Sequence, residues 1–222
     1  MNFSTVTSVE IPEGKVVSIS KGSEVLWKKR KYKKRLLYLE STGTQYIDTE
    51  VIGKFGIKAF IDFEFISGNL ADYIIFGSAA NKWATRFYPV SARDGAWVLG
   101  YGDRLSATSA PVLGQRYAVT SELMRGKQTM NVDGTTIISA EKTTAIDTKM
   151  SMYLFAVHST GDGGTVKIYG GSRIYSCWIE VDSVLVRDLI PVLDWDDVPC
   201  LYDKVSGEFF YNKGTGNFTF AY

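Results

Sequence analysis

The sequence predicts an all-β protein: an antiparallel two-sheet jelly-roll sandwich preceded by a small β-module. Three observations carry that expectation. Aromatic residues make up 14% of the 222 positions, with 21 Gly and only 5 Pro, a mixture suited to half-buried pleated surfaces joined by tight turns. Apolar residues recur with a period of two, most plainly over residues 57–66. No stretch carries a capped 3.6-residue apolar stripe, and Gly, Asn and Asp divide the chain into many short runs.

Residues 3–11 are rich in β-branched side chains and read as a strand ended by the Pro12-Glu13-Gly14 turn. Residues 15–20 and 24–27 read as two further short strands about Lys21-Gly22-Ser23. A module of residues 1–27 is too small to bury Phe3, Ile19, Leu26 and Trp27 unaided, which points to attachment or homo-oligomerisation. Residues 28–35 hold seven basic side chains in eight positions. Such a run repels itself and stays solvated, so it reads as a linker. Contact with nucleic acid is the competing reading, and a net charge of +1 does not favour it.

The main domain spans residues 36–222. Over residues 57–66, Ile57, Ala59, Ile61, Phe63 and Phe65 share one face, while Lys58, Asp62 and Glu64 share the other. Short strands are expected over 73–76, 97–101, 115–120, 128–132, 152–157, 165–169, 173–181 and 184–190. Asp133-Gly134 supplies the positive φ of a two-residue hairpin turn. Trp97 and Tyr101 share strand parity and are expected to face inward.

Several chemistries find little footing. Cys177 and Cys200 are too few for a disulfide scaffold and read as buried thiols, with a single bridge between them left open. His158 is the only histidine, and nothing in the sequence selects a nucleophile for it. One His and two separated Cys argue against zinc. Gly161-Asp162-Gly163-Gly164 lacks the Lys-Ser/Thr of a phosphate loop and reads as a turn. The first residues show no basic segment leading into an apolar one, and no run approaches the roughly 18 apolar residues of a membrane span. Synthesis in the cytoplasm without a signal peptide is expected, with no membrane insertion.

A sugar site needs an aromatic face beside polar side chains, and residues 81–104 supply that mixture. The tentative glycan-binding residues are Trp83, Arg86, Tyr88, Arg93, Asp94 and Asp103, the two carboxylates being placed in loops.

Three phrases together resemble a known family. They are Leu36-Leu-Tyr-Leu-Glu-Ser-Thr-Gly-Thr-Gln-Tyr-Ile-Asp-Thr49, Arg173-Ile-Tyr-Ser-Cys-Trp-Ile179 with Leu185-Val-Arg-Asp-Leu-Ile-Pro-Val-Leu193, and Val198-Pro-Cys-Leu-Tyr-Asp203 through Gly214-Thr-Gly-Asn-Phe218. Over residues 36–222 the chain resembles the laminin-G-like, concanavalin A-like jelly-roll domains of bacteriophage and prophage structural proteins and of gut-bacterial surface proteins. The Gly22-Ser23 turn followed by Val25-Leu26-Trp27 is similar to the small β-modules that precede such domains in phage tail proteins.

The resemblance implies a non-enzymatic, tail-associated virion protein whose jelly roll binds a host-surface glycan or another virion protein. Two alternatives stand beside it: a glycan-active enzyme of the same fold, and a purely structural capsid or tail decoration protein. Enzymes of the family carry two carboxylates alternating along one strand, as Glu-x-Asp-x-Glu. Glu180-Val181-Asp182 begins that pattern, but Val184 and Leu185 stand where the second Glu belongs, and no catalytic residue is assigned. Laminin-G-like domains often hold one calcium at the rim. The weak candidates are Asp194, Asp196 and Asp197, against a favoured reading of no metal and no cofactor.

Overall fold

Alternation of side chains along most of the chain yields strands and, among the described residues, no helix. The structure is a computed structural model describing residues 18–21, 24–28, 31–81, 83–160 and 166–222, with the backbone alone over 18–28. The strands are β1 Ser18–Lys21, β2 Glu24–Lys28, β3 Lys34–Arg35, β4 Tyr38–Ser41, β5 Ile47–Lys54, β6 Ile57–Phe65 and β7 Asp72–Ala80. They continue with β8 Thr85–Arg93, β9 Ala96–Ser106, β10 Arg116–Met124, β11 Lys127–Val132, β12 Thr135–Ala140, β13 Asp147–Leu154 and β14 Ala156–Ser159. The last are β15 Val166–Lys167, β16 Ser172–Val181, β17 Val184–Leu193, β18 Pro199–Asp203, β19 Phe209–Phe210 and β20 Thr219–Ala221.

The chain divides into two compact units, Met1–Lys31 and Tyr32–Tyr222. In the first, β1 and β2 pair antiparallel with Lys21 opposite Glu24. The strand expected over residues 3–11 lies outside the described residues, as does the turn at residues 161–164.

In the second unit, one sheet runs β12-β11-β10-β6-β16-β17-β18-β19, with β4 and β3 added beside β16 and β17 and β20 beside β4. The other runs β15-β14-β7-β13-β5, with β8 beside β7 and β9 beside β8. The pairings are antiparallel except that of β14, which runs parallel to β7 after the chain reverses at Phe155 (φ 66°).

The core fills the space between the sheets. Ile57, Ala59, Ile61, Phe63 and Phe65 on β6 face into it, as their spacing predicts. Tyr73, Phe76, Phe87, Trp97 and Tyr101 join them from the second sheet. Trp97 is 2% exposed, and its indole meets the Tyr117 ring edge-on at 4.9 Å, with Phe63 and Phe65 just beyond 6 Å. Edge-on rings add to the area that such large side chains bury.

Two features differ from the sequence expectation. Glu64, expected on the solvent face, is 8% exposed because Arg173 (3.3 Å) and the Tyr175 hydroxyl (3.0 Å) donate to its carboxylate. The basic run is not wholly a linker. Lys34 and Arg35 pair with Leu193 and Val192, the Tyr32 ring lies 5.3 Å from that of Tyr202, and Lys33 reaches Asp197 at 2.6 Å. An unpaired stretch of β17 offers backbone groups that these residues satisfy, so the sandwich begins at Tyr32 rather than residue 36. Cys177 and Cys200 are the free, buried thiols that the sequence reading favours.

Candidate functional site

The outer face of the second sheet carries a cleft, and strand parity explains which side chains reach it. On β9, Trp97, Leu99 and Tyr101 enter the core, so Val98, Gly100, Gly102 and Arg104 take the opposite face. On β8, Arg86 and Tyr88 share the outer face. A bulge then intervenes: Tyr88 pairs with Gly100 and Ser91 with Val98, three residues against two. That extra residue switches the parity, so Ser91 and Arg93 point the same way as Arg86 and Tyr88. On β7, Ile75 and Phe76 enter the core, while Ile74 joins Ala79, Tyr88 and Val157 in a separate outer apolar cluster.

The cleft has a volume of about 190 Å³. Its floor is Tyr88 with Ile74, Ser91, Ala92 and Val98; Trp83 and Tyr169 form an aromatic wall, and Asp72, Arg93, Arg104 and Lys167 supply charge. The Tyr88 ring lies over two glycines on the flanking strands. A Cβ at Gly100 would stand 2.6 Å from its Cδ2, and one at Gly77 2.9 Å from its Cδ1. No other residue leaves room for the ring there.

Trp83 sits in the β7–β8 connection with φ of 71°, a left-handed conformation rare for a bulky residue. It packs, half-buried, against the outer apolar cluster. The Lys167 ammonium lies 5.5 Å from its ring centroid and 4.9 Å from that of Tyr169, and 3.6 Å from Asp72. Asp72 also accepts a hydrogen bond from Arg93 Nη1 at 2.8 Å.

Electrostatics at the cationic side are unbalanced. Arg104 is held below the ordinary arginine range by burial, then by the neighbouring Arg93 and Arg86 charges. Burial pushes the Tyr88 phenol well above its usual range, so it stands protonated as a donor at neutral pH. Its hydroxyl and the Nε–H groups of Arg86 and Arg93 are buried without a hydrogen-bond partner.

Of the residues singled out from sequence, Trp83, Tyr88 and Arg93 line the cleft. Arg86 stands behind it, its Nη1 3.5 Å from the Gly102 carbonyl. Asp94 is outside the lining, exposed in the β8–β9 turn, with its carboxylate 3.6 Å from Arg93 Nε. Asp103 is on strand β9 rather than in a loop, and pairs with Lys142 at 3.1 Å. The sequence reading missed Asp72, Ile74, Arg104, Lys167 and Tyr169. The parity that turns Trp97 and Tyr101 inward also turns Arg104 outward, and that signal was present in the sequence.

Two of the three calcium candidates, Asp194 and Asp197, already hold protein partners. Asp194 accepts from the N–H groups of Asp196 (2.9 Å) and Val198 (2.8 Å) and from the Tyr211 hydroxyl (2.9 Å), while Asp197 pairs with Lys33. These carboxylates organise a turn, and no group of three acidic, His or Cys side chains among the described residues converges as a metal would need. His158 stacks on Tyr153 at 4.2 Å, and its Nδ1 lies 3.0 Å from the Ser151 carbonyl. The Ser151 hydroxyl lies 3.4 Å from the same nitrogen.

No protein-family model matches the sequence, and no curated protein matches it. Among solved structures the fold is similar to a Bacteroides ovatus protein ascribed a carbohydrate-binding role. The TM-score is 0.57 at 12% identity, covering 84% of this chain and 60% of that one. Fainter likenesses are to mouse laminin α1 domains LG4-5 (TM-score 0.46, 13% identity, 80% of this chain and 48% of that one) and a Limulus polyphemus pentraxin (0.44, 14%, 65% and 76%). At such identities a likeness shows the fold alone, and the chain spans about 60% of the length of the Bacteroides protein. The two-sheet antiparallel jelly-roll sandwich expected from the sequence is the fold observed.

Proposed function

We propose that this protein binds carbohydrate without chemically altering it, and that the cleft over Tyr88 is where the sugar sits. The observation that carries the reading is the cleft's make-up: an aromatic wall of Trp83 and Tyr169 facing a set of hydrogen-bonding cations above an apolar floor. A sugar ring offers an apolar face to the indole and hydroxyls to the charged side. At about 190 Å³ the cleft is smaller than the roughly 300–1,000 Å³ of pockets for drug-sized ligands, so it suits one sugar unit rather than a buried chain.

Binding is favoured over hydrolysis because, among the described residues, the lining holds one carboxylate, Asp72, where glycoside hydrolysis ordinarily uses two. The other alternating carboxylates lie on the first sheet. Asp62 is gripped by Arg116 at 2.7 and 2.6 Å, Glu64 by Arg173 and Tyr175, and Glu180 lies opposite Lys58. A place on a phage particle, with binding to a host-surface glycan or another virion protein, belongs to this proposal on the strength of the sequence resemblance alone.

A glycan array run with the full-length protein and with Trp83→Ala tests the reading. Binding to a restricted set of glycans, lost in the variant while its melting temperature stays within a few degrees, supports it. Shortened products released from a bound glycan would replace binding with catalysis.

A further inference from the structure

The charges of the cleft do not cancel. Among the described residues, Asp72 is shared by Arg93 and Lys167, and Asp94 lies 3.6 Å from Arg93, so these carboxylates are taken. Arg86 and Arg104 form no ion pair with any carboxylate among the described residues. They stand near enough to Arg93 for the two charges to act on Arg104, and all three guanidiniums act on the Tyr88 phenol. Three like charges on one face of a sheet repel one another, and a plain solvated surface would disperse them.

Hydrogen-bond donors are also in excess. Tyr88 is 2% exposed, lines the cleft, and its hydroxyl has no acceptor; Arg86 Nε, behind the cleft, makes no hydrogen bond, and Arg93 Nε makes none but lies 3.6 Å from the Asp94 carboxylate. A buried donor without an acceptor is costly, and three at one site are a strong departure from the usual pairing of buried polar groups. Every unpaired atom there is a donor. The complement is an acceptor-rich, negatively charged group small enough for the cleft, and planar guanidiniums suit an oxyanion held by paired N–H groups.

We propose that the cleft takes an acidic saccharide, its carboxylate or sulfate lying between Arg93 and Arg104 above Tyr88, with the sugar ring against Trp83 and Arg86 adding its charge from behind. This rests on the proposed glycan-binding function and narrows it to one class of sugar. The anion relieves the repulsion and supplies the acceptors; the indole fixes the ring.

Titration calorimetry on the full-length protein at low salt tests this with three probes of equal length: a uronate oligosaccharide, the same oligosaccharide after carboxyl reduction, and a sulfated neutral-backbone oligosaccharide. At least one acidic probe should bind roughly tenfold or more tighter than the reduced one, with an advantage that shrinks as salt rises. Which acidic probe wins separates carboxylate from sulfate. Arg104 is exposed, so Arg104→Gln should fold normally and lose most of that advantage, while Arg104→Lys should recover part of it. If Arg104→Gln melts early, Arg93→Gln makes the same test. Equal binding of acidic and reduced probes, abolished by Trp83→Ala, overturns the acidic preference and leaves carbohydrate binding standing. No binding of any probe at millimolar concentration overturns both.

Discussion

Replacing Trp97 with Ala separates the packing role of one tryptophan from the binding role of another. Trp97 is 2% exposed and touches the rings of Tyr117, Phe63 and Phe65 between the sheets. Removing an indole from such a place forfeits its transfer free energy and leaves a cavity that rigid neighbours fill only in part, about 3–5 kcal/mol. For a domain of this size each kcal/mol lowers the melting temperature by about 2–4 °C, so the expected fall is about 6–20 °C. Trp83 packs half-buried on the outer cluster, and its replacement by Ala should cost about 1 kcal/mol and no more than about 4 °C. Scanning calorimetry on both variants measures the difference. Equal shifts, or a Trp97→Ala shift below about 2 °C, would refute the assignment of Trp97 to the core and of Trp83 to the cleft wall.

Three further outcomes follow from individual contacts. Asp203 is fully buried and accepts from the N–H groups of Asp188, Val205 and Ser206 and from the Ser206 hydroxyl. Burial raises its pKa, but those donors outweigh it and hold the group below its ordinary value. The unfolded chain therefore takes up this proton first, so the stabilisation is complete above about pH 4 and is lost as pH falls through the folded value. Asp203→Ala should cost about 3 kcal/mol at pH 7 by urea melts, and a native-like midpoint there would contradict the account. Glu180→Gln should change neither binding nor product release; a clear loss of hydrolysis would place catalysis on the first sheet. Burial pushes the Cys200 thiol up to about 12 and Cys177 higher still, so a thiol reagent at pH 8 should label neither before unfolding, with rapid native labelling the contrary result.

What the sequence disclosed tracks how local each signal is. The face of β6 follows from alternation within nine residues, and the hairpin at Asp133 and Gly134 (φ 50° and 83°) from two. Strand β8 was obscured because both its faces are largely buried, Pro89 interrupts it, and the bulge after Tyr88 breaks the period of two. The cleft was legible only in part for a different reason. Trp83, Tyr88 and Arg93 are close in sequence, whereas Asp72, Lys167 and Tyr169 arrive from other strands. They meet because the sheet orders β9, β8, β7, β14 and β15 side by side, including one parallel pairing that no short-range pattern announces. Asp94 and Asp103 were grouped with the site by sequence neighbourhood, and their turn and their lysine hold them apart from it.

The flat seat of Tyr88 makes the site depend on atoms that are missing. Carbon atoms in contact rest about 3.5–4.0 Å apart, whereas a methyl at Gly100 would lie 2.6 Å from Cδ2 of the ring. The ring would have to rise by about an ångström, and above it lies the cleft. One added carbon on a neighbouring strand would thus act as a shutter, closing the recess from beneath while leaving each side chain that lines it chemically unchanged. The same methyl would stand 2.9 Å from the Tyr88 backbone nitrogen, so strand β8 would have to shift with the ring. Comparing such domains by their contact residues alone would miss that change; the two bare backbone positions under the tyrosine would reveal it.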